Sequence, residues 1–152
     1  MKDRNQLIQE DYVGTPDYPW KVLVICQCLN RANWMVAETV IAQIFERWPT
    51  PEDCSLLYRT YEKGTEWSTE AYNLLRPLGF GLTRVHRLTD MSLEYLRAEK
   101  DYDYLEDYPI RAFPGCGNYA ADAWDLFVLK RNCTPKDRLL RCYAERSKLW
   151  SP

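Results

Sequence analysis

The apolar patterns in this chain repeat at three- to four-residue spacing and are punctuated by proline and glycine. That period lays side chains along one face of a helix. Pro19-Trp20 precedes Lys21–Arg31, where positions 22, 23, 25, 26 and 29 are apolar, a buried helix with proline near its start. Trp34–Trp48 carries Met35, Val36, Val40, Ile41, Ile44 and Phe45 and closes at Pro49 and Pro51. Ser68 leads a segment through Leu74 and Leu75 that Pro77 stops before Gly79. Thr83–Leu96 is amphipathic through Leu88, Met91, Leu93 and Leu96, and Pro114-Gly115-Cys116-Gly117 breaks the chain ahead of Tyr119–Val128. A last helix is expected from Thr134, as N-cap, through Pro135 to about Lys148. No stretch alternates at period two with hairpin signals, and residues 50–64 are the least patterned. The expectation is an all-α, bundle-like fold in one domain over residues 1–152.

A chain of 152 residues can bury a core without metals or disulfides. Its longest apolar run, Val22–Cys26, is too short to span a bilayer, and Met1–Gln6 lacks the apolar stretch of a signal peptide. An intracellular protein, cytoplasmic (nucleoid-associated) or nuclear and away from membranes, is therefore expected. In such a compartment the six cysteines are expected to be free thiols. With no Cys-x-x-Cys pair and His86 the one histidine, no metal site is expected. The net charge of −2 hides a segregation. Lys130–Lys148 holds seven basic residues and two acids, Arg76–Arg87 three arginines and no acid, and Glu94–Asp107 six acids against two bases. This fits either a basic face for a phosphate-bearing partner or an ordinary solvated surface.

Phe113-Pro114-Gly115-Cys116-Gly117-Asn118-Tyr119 is the most informative segment. Two glycines one residue apart let the backbone turn sharply and approach a partner closely, and the amides of the following helix start suit a phosphate. Taken alone, the segment equally describes a Pro-Gly turn between two core helices. Asp137 follows Tyr119 by 18 residues (137 − 119), at the start of the last helix. Alone, such an acid is also what a helix dipole favours.

Glycine-rich hairpin, helix, polar loop and acid together resemble the helix-hairpin-helix DNA glycosylases of the endonuclease III superfamily. The likeness is greatest to the thymine/uracil mismatch glycosylase domain of the methyl-CpG-binding-domain glycosylases. Leu7-Ile8-Gln9-Glu10 resembles that family's Leu-Val-Gln-Glu, with the local spacing shifted, and Pro19-Trp20-Lys21-Val22-Leu23 opens a helix ending in Leu29-Asn30-Arg31. Leu75-Arg76-Pro77-Leu78-Gly79-Phe80 resembles its Leu-Lys-Pro-Leu-Gly-Leu loop, Tyr108-Pro109-Ile110 leads into the hairpin, and Pro135-Lys136-Asp137 resembles its Pro-Glu-Asp. The likeness runs from about Leu7 to Trp150, with 50–70 poorly matched.

The resemblance implies a helix-hairpin-helix fold without the iron–sulfur cluster, no cofactor, and a monomer acting on double-stranded DNA that carries a damaged, mismatched or modified base. Asp137 would be the catalytic carboxylate, stabilising positive charge at C1′ and activating water. Tyr119 would line the pocket of the flipped base, with Gln9 a candidate for its Watson–Crick edge. Tyr119 stands where bifunctional relatives carry a Schiff-base lysine, which implies a monofunctional enzyme without lyase activity. Arg31 would fill the space left by the extruded nucleotide, although a helix-terminal cation fits the residue as well. Phe80 and Leu82 would press on the other strand. Gly115, Gly117 and Asn118, with Arg84, Lys136 and Arg138 nearby, would hold phosphate, while Glu94–Asp107 would face away from DNA. The implied reaction is hydrolytic release of thymine, uracil or a related pyrimidine opposite guanine. A phage-type enzyme modifying a thymine in place, or a silent DNA-binding relative, shares the same fold.

Overall fold

The computed structural model describes residues 6–101 and 105–151. Tyr102–Tyr104, inside the acidic Glu94–Asp107 stretch, and Met1–Asn5 lie outside them. The molecule is mostly helical with one small two-stranded sheet. A 3-10 turn at Ile8–Tyr12 precedes α1 (Tyr18–Leu29), α2 (Trp34–Arg47) and the single-turn α3 (Pro51–Cys54). Then come β1 (Tyr58–Tyr61), β2 (Gly64–Trp67), α4 (Thr69–Leu75), α5 (Gly81–Asp101), α6 (Asn118–Ala123) and α7 (Arg138–Arg146).

The five consecutive apolar residues of α1 leave it no polar face, and a helix apolar all round belongs in the middle. Trp20, Val22, Leu23, Val24 and Ile25 are fully buried, with α2, α5, α6 and the N-terminal turn packed around them. Each such side chain contributes about 1.5–3 kcal/mol of burial, so truncating Ile25 to alanine would cost about 2–5 kcal/mol. The indole N–H of Trp20 donates to Ser92 Oγ at 3.0 Å, so the polar tip is satisfied within the core. α2 presents Ala37, Val40, Ile41, Ile44 and Phe45 inward, and Asn33 caps it by accepting from the amides of Met35 and Val36.

The expectation of helices alone is corrected at residues 58–67. Tyr58–Tyr61 and Gly64–Trp67 pair antiparallel across a Glu62-Lys63 turn, with Arg59 opposite Glu66 and Thr60 opposite Thr65. Tyrosine, threonine and tryptophan suit a pleated surface. Four-residue strands are too short to show a period, and their inward face docks on α5 rather than in the main core. Tyr58 stacks on the His86 ring at 4.9 Å and donates to Asp90, while His86 Nδ1 lies 3.2 Å from Asp90. His86, read as an ordinary surface residue, is thus part of the hairpin's anchor.

The last helix also differs from its expected bounds. Thr134 is not its N-cap; Asp137 is, and Pro135 lies in the irregular stretch before it. Cys133 and Thr134 are drawn away by the chain's last residues. The Cys133 amide donates to Leu149 O at 2.9 Å, the Ser151 amide to Cys133 O at 3.1 Å, and Thr134 Oγ1 to Ser151 O. The helix expected to reach Val128 is α-helical only to Ala123 and continues as a π-turn over Trp124–Val128. No described helix is long and apolar enough to cross a membrane.

Candidate functional site

Two contiguous cavities open where the C-terminus of α1, the 113–117 turn and the start of α5 meet. One, about 360 Å³, is lined by Cys26, Trp34, Gly117, Asn118, Tyr119 and Asp137 among others. That is within the range of small-ligand sites. The second, about 530 Å³, is lined by Gln27, Phe80, Thr83, Arg84 and Arg87 among others. Asn30, Arg31 and Gly115 border both.

Asp137 stands at the first cavity because it is the N-cap of α7. One carboxylate oxygen, Oδ2, accepts from the Leu140 amide at 3.0 Å, which fixes the side chain and leaves the other oxygen for the cavity. The loop carrying it is clasped by the Cys133–Trp150 bridge, and the Arg141 guanidinium covers the Trp150 ring at 4.4 Å. Lys136 and Arg138 flank Asp137 and are exposed.

Tyr119 lines the same cavity. Its hydroxyl accepts from Gln9 Nε2 at 3.2 Å, joining residues 110 positions apart. Burial first, then Cys26 and the charge of Asp137, push the phenol well above its ordinary range, against the opposing Gln9 hydrogen bond, so it stays protonated. Gln9 is fully buried behind it, with Nε2 also 3.8 Å from Cys26 Sγ. Its Oε1 has no hydrogen-bond partner among the described residues. A buried acceptor left so costs about 1–3 kcal/mol.

The two glycines have different reasons to be glycine. Gly115 has φ +78°, and a Cβ there would meet Gln27 at 3.0 Å and Arg87 at 3.3 Å. Gln27 Nε2 donates to Pro114 O at 2.7 Å, tying this turn to α1. Gly117 faces open space. Asn118, next to it, accepts from Arg111 Nε at 2.6 Å.

Arg31 and Phe80 project from the ends of two loops, both in left-handed backbone with φ 53° and 55°. Phe80 is 67% exposed and Leu82, two residues on, 48%. The structure therefore brings Asp137, Tyr119, Arg31, Gly115, Gly117 and Asn118 to one cavity, with Gln9 behind Tyr119; Phe80 lines the adjoining cavity, and Leu82 is exposed two residues on and lines neither. Arg84 differs from its expected place as a free phosphate ligand. Its guanidinium donates to the carbonyls of Gln27, Asn30, Leu78 and Gly79. Arg87, one turn on and exposed, lies beside the 113–117 turn instead. Sequence reasoning passed over Arg87, Gln27, Cys26 and Trp34. Only the three-residue step from Arg84 to Arg87, which sets both on one helix face, pointed to any of them.

Of the acidic stretch, Glu94, Glu99 and Asp101 sit in the C-terminal half of α5, away from Phe80 and Leu82. Among the described residues no group of three or more His, Cys, Asp or Glu is placed to hold a metal ion. All six cysteines are free.

No protein-family model matches the sequence. The chain is 31% identical over 140 residues to the methyl-CpG-binding domain protein 4-like protein of Arabidopsis thaliana. The alignment takes in 90% of this chain and 27% of that protein, so the chain spans about a quarter of its relative's length.

Proposed function

We propose that the chain is a monofunctional, monomeric helix-hairpin-helix DNA glycosylase that hydrolyses the N-glycosidic bond of an extruded thymine, uracil or related pyrimidine, opposite guanine, in duplex DNA. The observation that carries this reading is the Asp137 carboxylate, held by one oxygen at the N-cap of α7, lining one cavity of about 360 Å³ together with a protonated Tyr119. The similarity to a protein named for methyl-CpG binding supports a role on DNA.

In this reading the Asp137 carboxylate lies beside C1′ of the extruded nucleotide. As the C1′–N1 bond breaks, its electron pair leaves with the base and cationic charge grows on the sugar. A fixed anion in a partly dehydrated site stabilises that charge most. Water then adds to C1′ and gives its proton to the carboxylate. Tyr119 stacks on or hydrogen-bonds the base. Gln9, fully buried behind it and not lining the cavity, acts on the base through the Tyr119 hydroxyl to which it donates. With a phenol in place of an amine, no Schiff base forms and the abasic strand stays intact. Arg31 occupies the space the base left, and Phe80 and Leu82 press between base steps. The open space at Gly117 lets the DNA backbone come close, with Arg87, Lys136 and Arg138 as cationic flanks.

The test is single-turnover incubation with labelled duplexes carrying T·G, U·G or 5-hydroxymethyluracil·G, developed with and without alkali. Nicking that needs alkali on at least one of them is the expected result. Borohydride trapping of a protein–DNA adduct would overturn the monofunctional reading. Retained binding without base release from any duplex would point to base modification or a silent module instead.

A further inference from the structure

We propose that Arg84 is a positioning residue that ties the Arg31 loop and the Phe80 loop into a single wedge; the inference rests on reading this site as one that extrudes a base. Arg84 Nη1 donates to Gln27 O at 2.9 Å and Nη2 to Asn30 O at 2.7 Å, both at the C-terminus of α1. Nη2 also donates to Leu78 O at 3.1 Å, and Nε to Gly79 O at 2.7 Å, in the turn before α5. The last carbonyls of a helix have no partner within it, so one guanidinium closes the end of α1 and the neighbouring turn together.

The placement of these bonds gives the tie its function. Asn30 immediately precedes Arg31, and Gly79 immediately precedes Phe80. Arg31 and Phe80 are the two non-glycine residues of this rim with left-handed backbone. Such a conformation costs on the order of 1–3 kcal/mol and persists only where its surroundings over-determine it. Arg84 holds the carbonyl just ahead of each strained residue. Both side chains therefore project toward the rim from a common anchor, and neither loop can relax alone. Only a planar fork with five N–H donors reaches carbonyls at two separate chain segments; an ammonium offers three donors from one point. With its donors so engaged, Arg84 serves the wedge from beneath, and Arg87 is the arginine of this face left for phosphate.

The test compares the parent chain with Arg84→Lys on two labelled duplexes. In one the target base is paired opposite guanine; in the other it lies opposite an abasic site, where extrusion breaks no pair. Arg84→Lys is expected to slow release from the paired target by about 10- to 100-fold, as misplacement by about an ångström does. The loss on the unpaired target is expected to be at least tenfold smaller. Equal loss on both would mean that Arg84 merely supports the fold or the pocket, and an unchanged paired rate would leave it no role; either overturns the proposal.

If Arg84→Lys does not fold, a cycle of Arg31→Gly and Phe80→Gly in the parent background decides. Tied loops make the second substitution cost little once the first is present, whereas fully additive losses overturn the tie. A parent chain that releases no base fails as a glycosylase. The tie is then read from 2-aminopurine fluorescence at the target position, where an Arg84→Lys response equal to the parent's overturns it.

Discussion

The pocket floor and the wedge rim lie side by side and are built on opposite principles. Gln9 and Cys26, both buried, and the half-buried Tyr119 form a floor in ordinary backbone, with Gln9 Nε2 bonded to each of the other two. Arg31 and Phe80 form a rim of exposed side chains in strained backbone, with Arg84 beneath. The floor is specified by burial, which keeps the phenol protonated and leaves one acceptor unsatisfied. The rim is specified by conformation. On the proposed function the two principles have a use: chemistry needs a dehydrated surface, whereas entry into a base stack needs protruding groups that cannot fold back.

The largest separation of the two should come from Asp137→Asn. Asparagine caps a helix as well as aspartate, so melting and duplex affinity should hold while base release falls by about 10²- to 10⁴-fold. Undiminished release would remove Asp137 from the reaction. Next come the glycines between floor and rim. Gly115→Ala meets both a left-handed φ and crowding by Gln27 and Arg87, and should cost about 1–3 kcal/mol, lowering the melting temperature by several degrees. Gly117→Ala should melt normally and bind duplex DNA more weakly; equal melting losses would erase the distinction.

A smaller effect with an informative sign is expected for Arg31→Gly. Glycine adopts φ 53° without strain, so thermal stability should rise by up to about 1 kcal/mol while release from paired duplex falls. A drop in melting temperature would show that the rim is not strained. A last effect concerns alkaline pH and the helix beneath the floor. Burial raises the Cys28 thiol to about 12. The unfolded chain releases that proton near its ordinary pKa and the folded chain does not, so this contribution is full below about pH 8.5 and lost as pH rises toward 12. Urea midpoints from pH 8 to 10.5 should decline, and less steeply in Cys28→Ala.

The helices were legible because three- to four-residue apolar spacing and proline stops are local signals. Ser68 and Asn33 sit at the caps such patterns favour. The β-hairpin was not legible, since its fixing contacts are with His86 and Asp90 on a helix far along the chain. The start of α7 was misplaced for a similar reason. Thr134-Pro135 is a good local helix start, overridden by pairing with residues 149–151. Of the residues singled out by motif resemblance, Asp137 and Tyr119 line one cavity and Gln9 is bonded behind Tyr119. The engagement of Arg84 by four carbonyls was not legible, because carbonyl directions at the ends of α1 and of the 76–80 turn are set only once those segments pack.

The Gln9–Tyr119 bond also bears on when the cavity comes into being. Its partners are 110 residues apart in sequence, and Arg146 reaches back 136 residues to Glu10. During synthesis Gln9 can meet Tyr18 and Cys26 soon after it is made, but its bond to the Tyr119 hydroxyl must wait for another 110 residues. The Asp137 loop then waits for its clasp until Trp150 emerges. Contacts this distant form late, after the local helices. A nascent or truncated chain can thus hold most of its helices and still lack the assembled cavity, so on the proposed function activity would appear only with the last long-range contacts.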